Sequence, residues 1–380
     1  MKIISVVGAR PNFMKLAPFC DAIASHNKKF NGSVRHIIVH TGQHYDINMS
    51  DDFFIKLGMP KPDKNLEVAA ASHAEQVGNT MIKLEKVLLE ENPDWIVIYG
   101  DVNATMATAI TAKKLWMKIA HVEAGLRSFD NKMPEEINRL VTDRLSDILF
   151  TTDEISDQIL LKEGTPSAKI YRVGNIMIDS LVKHLPAARK LILNDIITSF
   201  ASKDNTKVDL VDRHFALVTL HRPSNVDDFS SFSNLLSFMM GEVASFMPVV
   251  WPVHPRTMKK IQEFGLWDSL VAHPYFVLLS PVGYHEMLRL NMSAKIVLTD
   301  SGGLQEESTV LGTPCLTLRW NTERPMTLKQ YGGASILVGN DMEKIREGYR
   351  MILEKPIYPH CPPLWDGKTA ERILDILLKK

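Results

Sequence analysis

The sequence has few cysteines and no excess of either charge. Three cysteines occur among 380 residues, and they are far apart with no CxxC pair, so a disulfide framework is not expected. Lysine plus arginine number 44 and aspartate plus glutamate number 44, which argues against a general attraction to nucleic acid or to an anionic membrane. No apolar stretch reaches the roughly 18 residues that span a bilayer. We therefore expect a cytoplasmic protein without nucleic acid or membrane partners, in which any anion is bound by a local site.

Several catalytic and cofactor motifs are also missing. The sequence contains no GxGxxG and no GxxxxGK[ST], so NAD and ATP are poor candidates. It has no HExxH, and the "HVE" at His121 lacks the PCxxC that completes a zinc-deaminase signature. A serine nucleophile is not favoured because GxSxG is absent. We expect no metal or other cofactor, and carboxylates and histidines remain as the acid and base groups.

Short β-rich apolar runs alternate with helical patterns along most of the chain. The runs lack polar alternation, as expected for strands covered on both faces by crossover helices: "IISVVG", "HIIVHTG", "WIVIYGD", "KIAHVEA", "ILFTTD", "IYRVGN", "FALVTLH", "PVVWPVH", "FVLLSP", "KIVLTDSGG", "PCLTLR" and "ASILVG". This pattern predicts an α/β protein of two Rossmann-like doubly wound domains that face a cleft. We place the domains at residues 1–174 and 175–362, followed by an amphipathic helix within 363–380 that packs back toward the first domain.

Polar side chains follow many of the predicted strands. Because ligands of open parallel sheets bind beyond the carboxyl ends of the strands, such a dense set predicts a site there. The set is Arg10, Lys15, Gln43, His44, Asp46, Asp101, Asn103, Glu123, Arg127, His221, Arg222, His254, Arg256, Asp300, Ser301, Gly302 and Gly303.

The stretch "LTDSGGLQEES" follows a strand and opens a predicted helix. Ser301, Gly302 and Gly303 can present unpaired backbone N–H groups to a phosphate, and Glu306 and Glu307 can accept hydrogen bonds from a ribose. An ordinary helix cap followed by solvated glutamates explains the same residues.

The first predicted helix carries two cations near its start. Arg10 and Lys15 are spaced so that both can approach one diphosphate. Charges on the surface of that helix remain the alternative reading.

Three carboxylates and one histidine are candidates for acid–base catalysis. Asp101, Glu123, Glu135 and His221 each follow a strand or open a helix. Carboxylates that share one cleft shift each other's proton affinity, so that one can act as acid while another acts as base. Glu135 follows Pro134 at a helix start, where a glutamate is stabilising in any case.

The sequence resembles the non-hydrolysing UDP-N-acetylglucosamine 2-epimerases. The resemblance rests on ordered pieces from end to end: "GARPNFMKLAP", "TGQHYD", "YGDVNATMATA", "HVEAGLRSFDNKMPEEINRLVTDRLSD", "VGNIMID", "HRPSNVD", "PVH", "LTDSGGLQEES", "LGTPCLTLRWNTERP" and "DGKTAERI". It implies the two-domain GT-B fold, with UDP held mainly by the second domain. The implied reaction interconverts UDP-GlcNAc and UDP-ManNAc by elimination of UDP to 2-acetamidoglucal and re-addition.

The resemblance also implies residue roles. Asp101 and Glu123 are expected to transfer protons near C-2, Glu135 to assist them and His221 to contact the diphosphate. The positions implied to bind UDP or its phosphates are Arg10, Lys15, Arg139, Ser301, Gly302, Gly303, Glu307 and Arg324. The resemblance further implies a homodimer.

This chain departs from the family pattern at two places. Tyr45 and Asp46 replace the usual residues after Gln43 and His44 near a second, activating substrate site; Gln43 and His254 are retained there as possible second-site residues. We expect weak or absent sigmoidality. "HRPSN" replaces the common "HRREN", so a related UDP-sugar such as a diacetamido-uronic acid is an alternative substrate. A GT-B glycosyltransferase, a hydrolysing epimerase and a sugar-nucleotide sensor are further, less favoured alternatives.

Overall fold

The computed structural model describes residues 1–42, 58–68, 72–201, 208–354 and 359–380. For Arg10 it describes the backbone only. The chain divides into two compact units: Met1–Ser180 with Pro363–Lys380, and Leu181–Pro362. None of the helices in these ranges combines the length and the apolar character that a membrane span requires.

The first unit is built on a parallel sheet that has seven strands in the described residues, in the order β3-β2-β1-β4-β5-β6-β7. The strands are β1 Lys2–Val7, β2 Arg35–His40, β3 Lys64–Asn65, β4 Trp95–Tyr99, β5 Ile119–Ala124, β6 Ile148–Thr151 and β7 Ile170–Arg172. The helices are α1 Arg10–Lys29, α2 His73–Glu91, α3 Asn103–Lys114, α4 Pro134–Leu145 and α5 Glu154–Lys162, with a 3₁₀ turn at Ser167–Lys169; α6 Ile176–Ala188 contains the boundary between the units.

The second unit repeats this architecture with a parallel sheet of six strands in its described part, in the order β10-β9-β8-β11-β12-β13. The strands are β8 Ala216–Thr219, β9 Val249–Pro252, β10 Phe276–Leu279, β11 Ile296–Thr299, β12 Cys315–Thr317 and β13 Ser335–Leu337. The helices are α7 Leu193–Phe200, α8 Pro223–Val226, α9 Phe229–Phe238, α10 Pro255–Glu263, α11 Trp267–Ala272, α12 Tyr284–Ser293, α13 Gly302–Leu311 and α14 Met342–Glu354; a π turn lies at Met239–Val243, and 3₁₀ turns lie at Pro325–Thr327 and Lys329–Tyr331.

The central strands are apolar because helices cover both faces of each sheet. All five residues of β4 and all four of β11 are buried, as expected for parallel strands without a solvent face. In the second unit, Trp251, Phe232 and Phe238 fill the core on one side of the sheet. The prediction of two doubly wound α/β sheets is confirmed.

The C-terminal segment belongs to the first unit. Its helix α15, Thr369–Leu378, packs beside α1. The buried Asp179 carboxylate accepts hydrogen bonds from the amides of Thr369 and Ala370 at 3.1 and 2.7 Å, and Trp365 Nε1 donates to Thr152 O at 3.0 Å. Asp179 therefore caps α15 from a distant part of the chain.

The strand order places a crevice at one point in each sheet. The order reverses between β1 and β4 in the first unit and between β8 and β11 in the second. Ligands of doubly wound sheets bind outside the carboxyl ends of strands at such switch points. Functional side chains are therefore expected after β1, β4 and β5 in the first unit and after β8 and β11 in the second.

Candidate functional site

The first unit brings Lys15 and Glu123 together. Lys15 lies on α1 after β1, Glu123 lies near the end of β5, and Lys15 Nζ forms an ion pair with Glu123 Oε2. Both side chains are almost fully buried, at 6% and 3% exposure. Because a buried charge without its partner is strongly destabilising, removal of either side chain is expected to disturb the other.

Gly100 makes room for this ion pair. It follows β4 and has a φ of +62°. A Cβ atom at this position would lie 2.6 Å from Lys15 Nζ and 3.1 Å from Glu123 Oε2. Both the backbone conformation and the space beside the pair therefore favour glycine.

The backbone at Glu123 adopts an uncommon conformation. Its φ is +74°, in the left-handed region that costs a residue with a Cβ atom about 1–2 kcal/mol. The pairing of β5 with β6 is irregular at the same point, between Val122 and Ala124. Bulges of this kind turn a side chain away from its regular direction, and backbone strain of this kind concentrates at functional sites.

Asp101 is held by an arginine from α4. Arg139 Nη2 and Nε donate to Asp101 Oδ2 at 2.6 and 3.0 Å, and Arg139 Nη1 donates to Glu136 Oε2 at 2.6 Å. Arg139 and Glu136 are buried, whereas the Asp101 side chain is 27% exposed. Asp101 is therefore the most exposed member of this group.

Glu135 and Glu136 differ sharply although they are neighbours in the first turn of α4. Glu135 is exposed, whereas Glu136 is buried. Burial opposes ionisation of Glu136, but hydrogen bonds from the Ser128 amide, Arg139 and the Phe129 amide hold its pKa below the usual range. Sequence reasoning singled out Glu135 and missed Glu136, which orients Arg139.

The second unit brings His221 and Asp300 together at the ends of β8 and β11. His221 Nδ1 lies 2.8 Å from Asp300 Oδ1, and Asp300 Oδ2 accepts from the amides of His221 and Arg222 at 3.0 and 2.8 Å and from Asn225 Nδ2 at 3.0 Å. Burial raises the pKa of Asp300, but these hydrogen bonds and His221 outweigh it and hold the pKa below the usual value. The ring is fixed through Nδ1, so Nε2 is the atom that can face a ligand.

His254 lies beside His221, with ring centroids 5.3 Å apart. Its Nδ1 accepts a hydrogen bond from the Arg256 amide at the start of α10. Partial burial, together with the nearby His221, lowers the pKa of His254. Gln43, the other predicted second-site residue, lies outside the described residues, as does the side chain of Arg10.

The helix α13 begins at Gly302 directly after Ser301. Ser301 donates its amide to Thr299 Oγ1 at 3.0 Å, and its side chain makes no capping hydrogen bond within the described residues. The amides of the first turn therefore have the character of an anion site. A Cβ at Gly303 would meet no atom of the described structure within 4 Å, whereas a Cβ at Gly302 would lie 2.7 Å from Arg324 Nη1.

Arg324 reaches the same helix. Its Nε lies 2.9 Å from Glu306 Oε1, and its Nη1 forms an ion pair with Glu323. The space at Gly302 admits the guanidinium to the start of α13, which would place a cation beside a bound phosphate.

Glu307 is buried deeper in α13. Burial raises its pKa to about 7, although the nearby Tyr284 hydroxyl acts in the opposite direction. Glu306 beside it also favours the neutral form. Near neutral pH, Glu307 can therefore act as a hydrogen-bond donor when it is protonated and as an acceptor when it is ionised. Within the described ranges, no three His, Cys, Asp or Glu side chains gather as a metal site.

Comparison with known proteins gives consistent matches over the whole chain. The family described as UDP-N-acetylglucosamine 2-epimerase matches residues 27–378. The UDP-N-acetylglucosamine 2-epimerase of Methanocaldococcus jannaschii is 41% identical over 378 residues, 99% of each chain. The UDP-2,3-diacetamido-2,3-dideoxy-D-glucuronate 2-epimerase of Pseudomonas aeruginosa is 39% identical over 381 residues, 100% of each chain. The crystal structure of the M. jannaschii enzyme in complex with UDP-GlcNAc and UDP has a TM-score of 0.85 and 40% identity, and the match covers 100% of both chains.

Proposed function

Because this chain belongs to the UDP-N-acetylglucosamine 2-epimerase family, we propose that it interconverts UDP-GlcNAc and UDP-ManNAc. The observation that carries the proposal is the pair of carboxylates at the ends of two adjacent strands. Asp101 follows β4 and Glu123 lies near the end of β5. The Gly100 amide donates to Val122 O between these strands at 3.0 Å, and each carboxylate is paired with a cation.

Two separately held carboxylates suit an inversion at one carbon. The proton on C-2 leaves from one face of the sugar and another arrives on the opposite face, so at least two acid–base groups are required. Elimination of UDP gives 2-acetamidoglucal as the intermediate. One group removes the C-2 proton to form it, and the other returns a proton to C-2 as UDP adds again. We assign these transfers to Glu123 and Asp101, with Glu135 assisting from the exposed first turn of α4.

The leaving UDP needs positive charge and N–H donors. We assign these to the first turn of α13 at Ser301, Gly302 and Gly303, to Arg324, and to His221 through Nε2, because preorganised donors stabilise developing negative charge. Lys15, Arg10 and Arg139 are further candidates for the diphosphate, and Glu307 for the ribose. The complex of the M. jannaschii enzyme with UDP-GlcNAc and UDP supports this assignment of the ligand.

A diacetamido-uronic acid carried on UDP is the second candidate substrate. The P. aeruginosa relative that is named for this sugar is 39% identical, close to the 41% of the M. jannaschii protein. Both candidates require the same inversion at C-2. They differ in the groups at C-3 and C-5, so the choice concerns specificity and leaves the chemistry unchanged.

Incubation of the protein with each UDP-sugar in D2O tests the proposal. We expect deuterium at C-2 and a manno-configured product that still carries UDP, measured by proton NMR and mass spectrometry. Free UDP with free ManNAc would indicate a hydrolysing enzyme. Absence of C-2 exchange with both sugars would exclude an epimerase of either, and transfer of the sugar to an acceptor would identify a glycosyltransferase.

We also propose a cytoplasmic homodimer. Helix α3 packs against both α2 and α4, and these two flanking helices expose Ile82, Leu89, Ile137 and Leu140. Burial of such side chains between two copies would remove apolar surface from water. Sedimentation of the wild type and of Ile137→Asp tests this: we expect a dimer that the substitution weakens, and a monomeric wild type at micromolar concentration would contradict it.

A further inference from the structure

One buried carboxylate, Asp143 on α4, contacts both sides of the strand end that bears Glu123. Asp143 Oδ1 lies 2.7 Å from His121 Nδ1, two residues before Glu123. Asp143 Oδ2 accepts from the amide of Gly125 at 3.1 Å and lies 2.7 Å from Arg127 Nη1, both after Glu123. The Asp143 side chain thus contacts residues on both sides of Glu123 at the bulge of β5.

His121 extends this contact to the turn that precedes Asp101. Its Nε2 lies 2.8 Å from the carbonyl oxygen of Gly100, while Nδ1 faces Asp143. Each ring nitrogen thus faces an oxygen atom that can accept a hydrogen bond. The ring is buried, and it links the ends of β4 and β5 to α4.

The arginine that pairs with Asp143 is itself held in place. Arg127 is held on its other side by Glu163, with Nε and Nη2 donating at 2.9 and 2.7 Å. Burial raises the pKa of Asp143, but His121 and Arg127 outweigh it and hold the pKa below the usual range. The carboxylate is therefore a firm acceptor for three donors on β5 and the loop that follows.

The conformation of Glu123 requires such support. A residue with a Cβ atom remains at a φ of +74° only where the surrounding structure overdetermines it. Of the contacts described above, those of Asp143 are the ones that fix the residues on both sides of this position. Loss of the carboxylate would let the strand end relax toward regular β geometry and would turn the Glu123 side chain away from Lys15.

We propose that Asp143 is a positioning residue that holds the backbone of Glu123 in the left-handed conformation and so sets the Glu123 carboxylate beside Lys15. The catalytic consequence rests on the proposed function, whereas the backbone consequence does not. The competing explanation is that Asp143 only provides a buried partner for His121 and Arg127 and has no effect on the Glu123 backbone.

The catalytic consequence is tested with Asp143→Asn, with Asp153→Asn as the matched control. Asp153 is also buried in the first unit, but it caps α5 through the Ser156 amide at 2.9 Å. We expect kcat of Asp143→Asn to fall about 100-fold, as for a misplaced catalytic group, with KM and UDP affinity unchanged. The control should lower the melting temperature and retain kcat. Retention of kcat in Asp143→Asn would overturn the proposal.

A double variant separates positioning from an independent effect. If Asp143 acts through Glu123, Asp143→Asn should add no further loss of kcat to Glu123→Gln, because groups that act as one unit are not additive. Losses that multiply would contradict the proposal.

A stability experiment decides the backbone consequence without any activity. Glycine accepts a positive φ more readily than alanine, so Glu123→Gly should melt above Glu123→Ala in the wild-type background. In the Asp143→Asn background the difference should vanish or reverse, because the strand end can relax. Equal melting temperatures in the wild-type background, or an unchanged difference in both backgrounds, would refute the positioning role. A wild type without C-2 exchange would refute the proposed function and leave this comparison valid.

Discussion

The two units differ in how far their proposed functional side chains are buried and paired. In the first unit, Glu123 and Asp101 are already ion-paired, and their partners Lys15 and Arg139 are buried. In the second unit, the His221 side chain is 39% exposed and Gly303 borders open space. Proton transfer depends on fixed orientation, whereas anion binding depends on accessible N–H groups. The difference fits the proposal that the first unit supplies the proton transfers and the second holds the nucleotide.

The largest effect that this comparison predicts is for Glu123→Gln. Loss of a general acid or base costs about 10²–10⁴-fold in rate, so we expect kcat to fall by that amount while UDP affinity, which we assign to the second unit, stays within a factor of about two. The assays are C-2 deuterium exchange and calorimetric titration with UDP. Glu154→Gln, an exposed glutamate at the start of α5, should change neither. A matching loss of UDP affinity in Glu123→Gln would break the division between the units.

Glu307 is one of the buried ionisable groups of the second unit. Its pKa is raised from 4.5 to about 7, so the stability of the neutral form is fully present below pH ~4.5 and is lost as the pH rises through ~7. At 1.36 kcal/mol per unit of pKa, the loss is roughly 3 kcal/mol at most. We expect Glu307→Gln to match the wild type in urea denaturation at low pH and to exceed it at pH ~8.5. A difference that does not change with pH would contradict this.

Asp300→Asn tests whether Asp300 fixes the orientation of the His221 ring, although this ring is partly exposed. The amide would favour the other tautomer of the imidazole, and we expect kcat/KM to fall by about 10–100-fold with an altered pH profile. The pKa of Asp300 is held below 3.8, so its stabilising contribution is present above that pH and is lost as the pH falls through the lower, folded-state pKa. The stability gap between the two proteins should therefore narrow in acid, and a constant gap would count against the ion pair.

Two glycines should respond with opposite sign. Gly100→Ala places a Cβ against Lys15 at a φ of +62° and should lower stability by about 1–2 kcal/mol from the backbone alone. Gly303→Ala has open space and should leave stability unchanged or raise it by up to ~1 kcal/mol, while UDP affinity falls. Thermal melts and UDP titrations check both, and a destabilised Gly303→Ala with normal UDP binding would remove Gly303 from the ligand site.

The smallest expected effect concerns the second-site residues. Because Tyr45 and Asp46 depart from the family pattern beside Gln43, we expect hyperbolic substrate curves for the wild type and for Gln43→Ala and His254→Ala. Initial rates over a wide range of UDP-GlcNAc measure this. A steep wild-type curve that Gln43→Ala abolishes would show activation by substrate.

The fold followed from local patterns, and the motifs led to a family that the comparisons confirm. The ion pair of Lys15 with Glu123 could not be predicted, because the two residues are 108 positions apart. Their contact depends on the register of β1, β4 and β5 and on the bulge in β5, which local sequence patterns do not specify. The sequence points to Glu135 rather than Glu136, and only the phase of α4 shows that Glu136 is the buried one. Gly302 stays a predicted contact for the ligand, and the structure adds a reason for glycine that the sequence does not show, because a Cβ there would lie against Arg324.

The capping of α15 by Asp179 has a consequence for biosynthesis. Residues 363–380 are translated after the whole of Leu181–Pro362, yet they complete the first unit. Trp365 and Arg372 add contacts to Thr152 and to the carbonyl of Val173. While the second unit is synthesised on the ribosome, the amino-terminal sheet lacks this helix. Nascent chains of this protein should therefore expose to chaperones the surface that α15 later covers, until α15 has been translated.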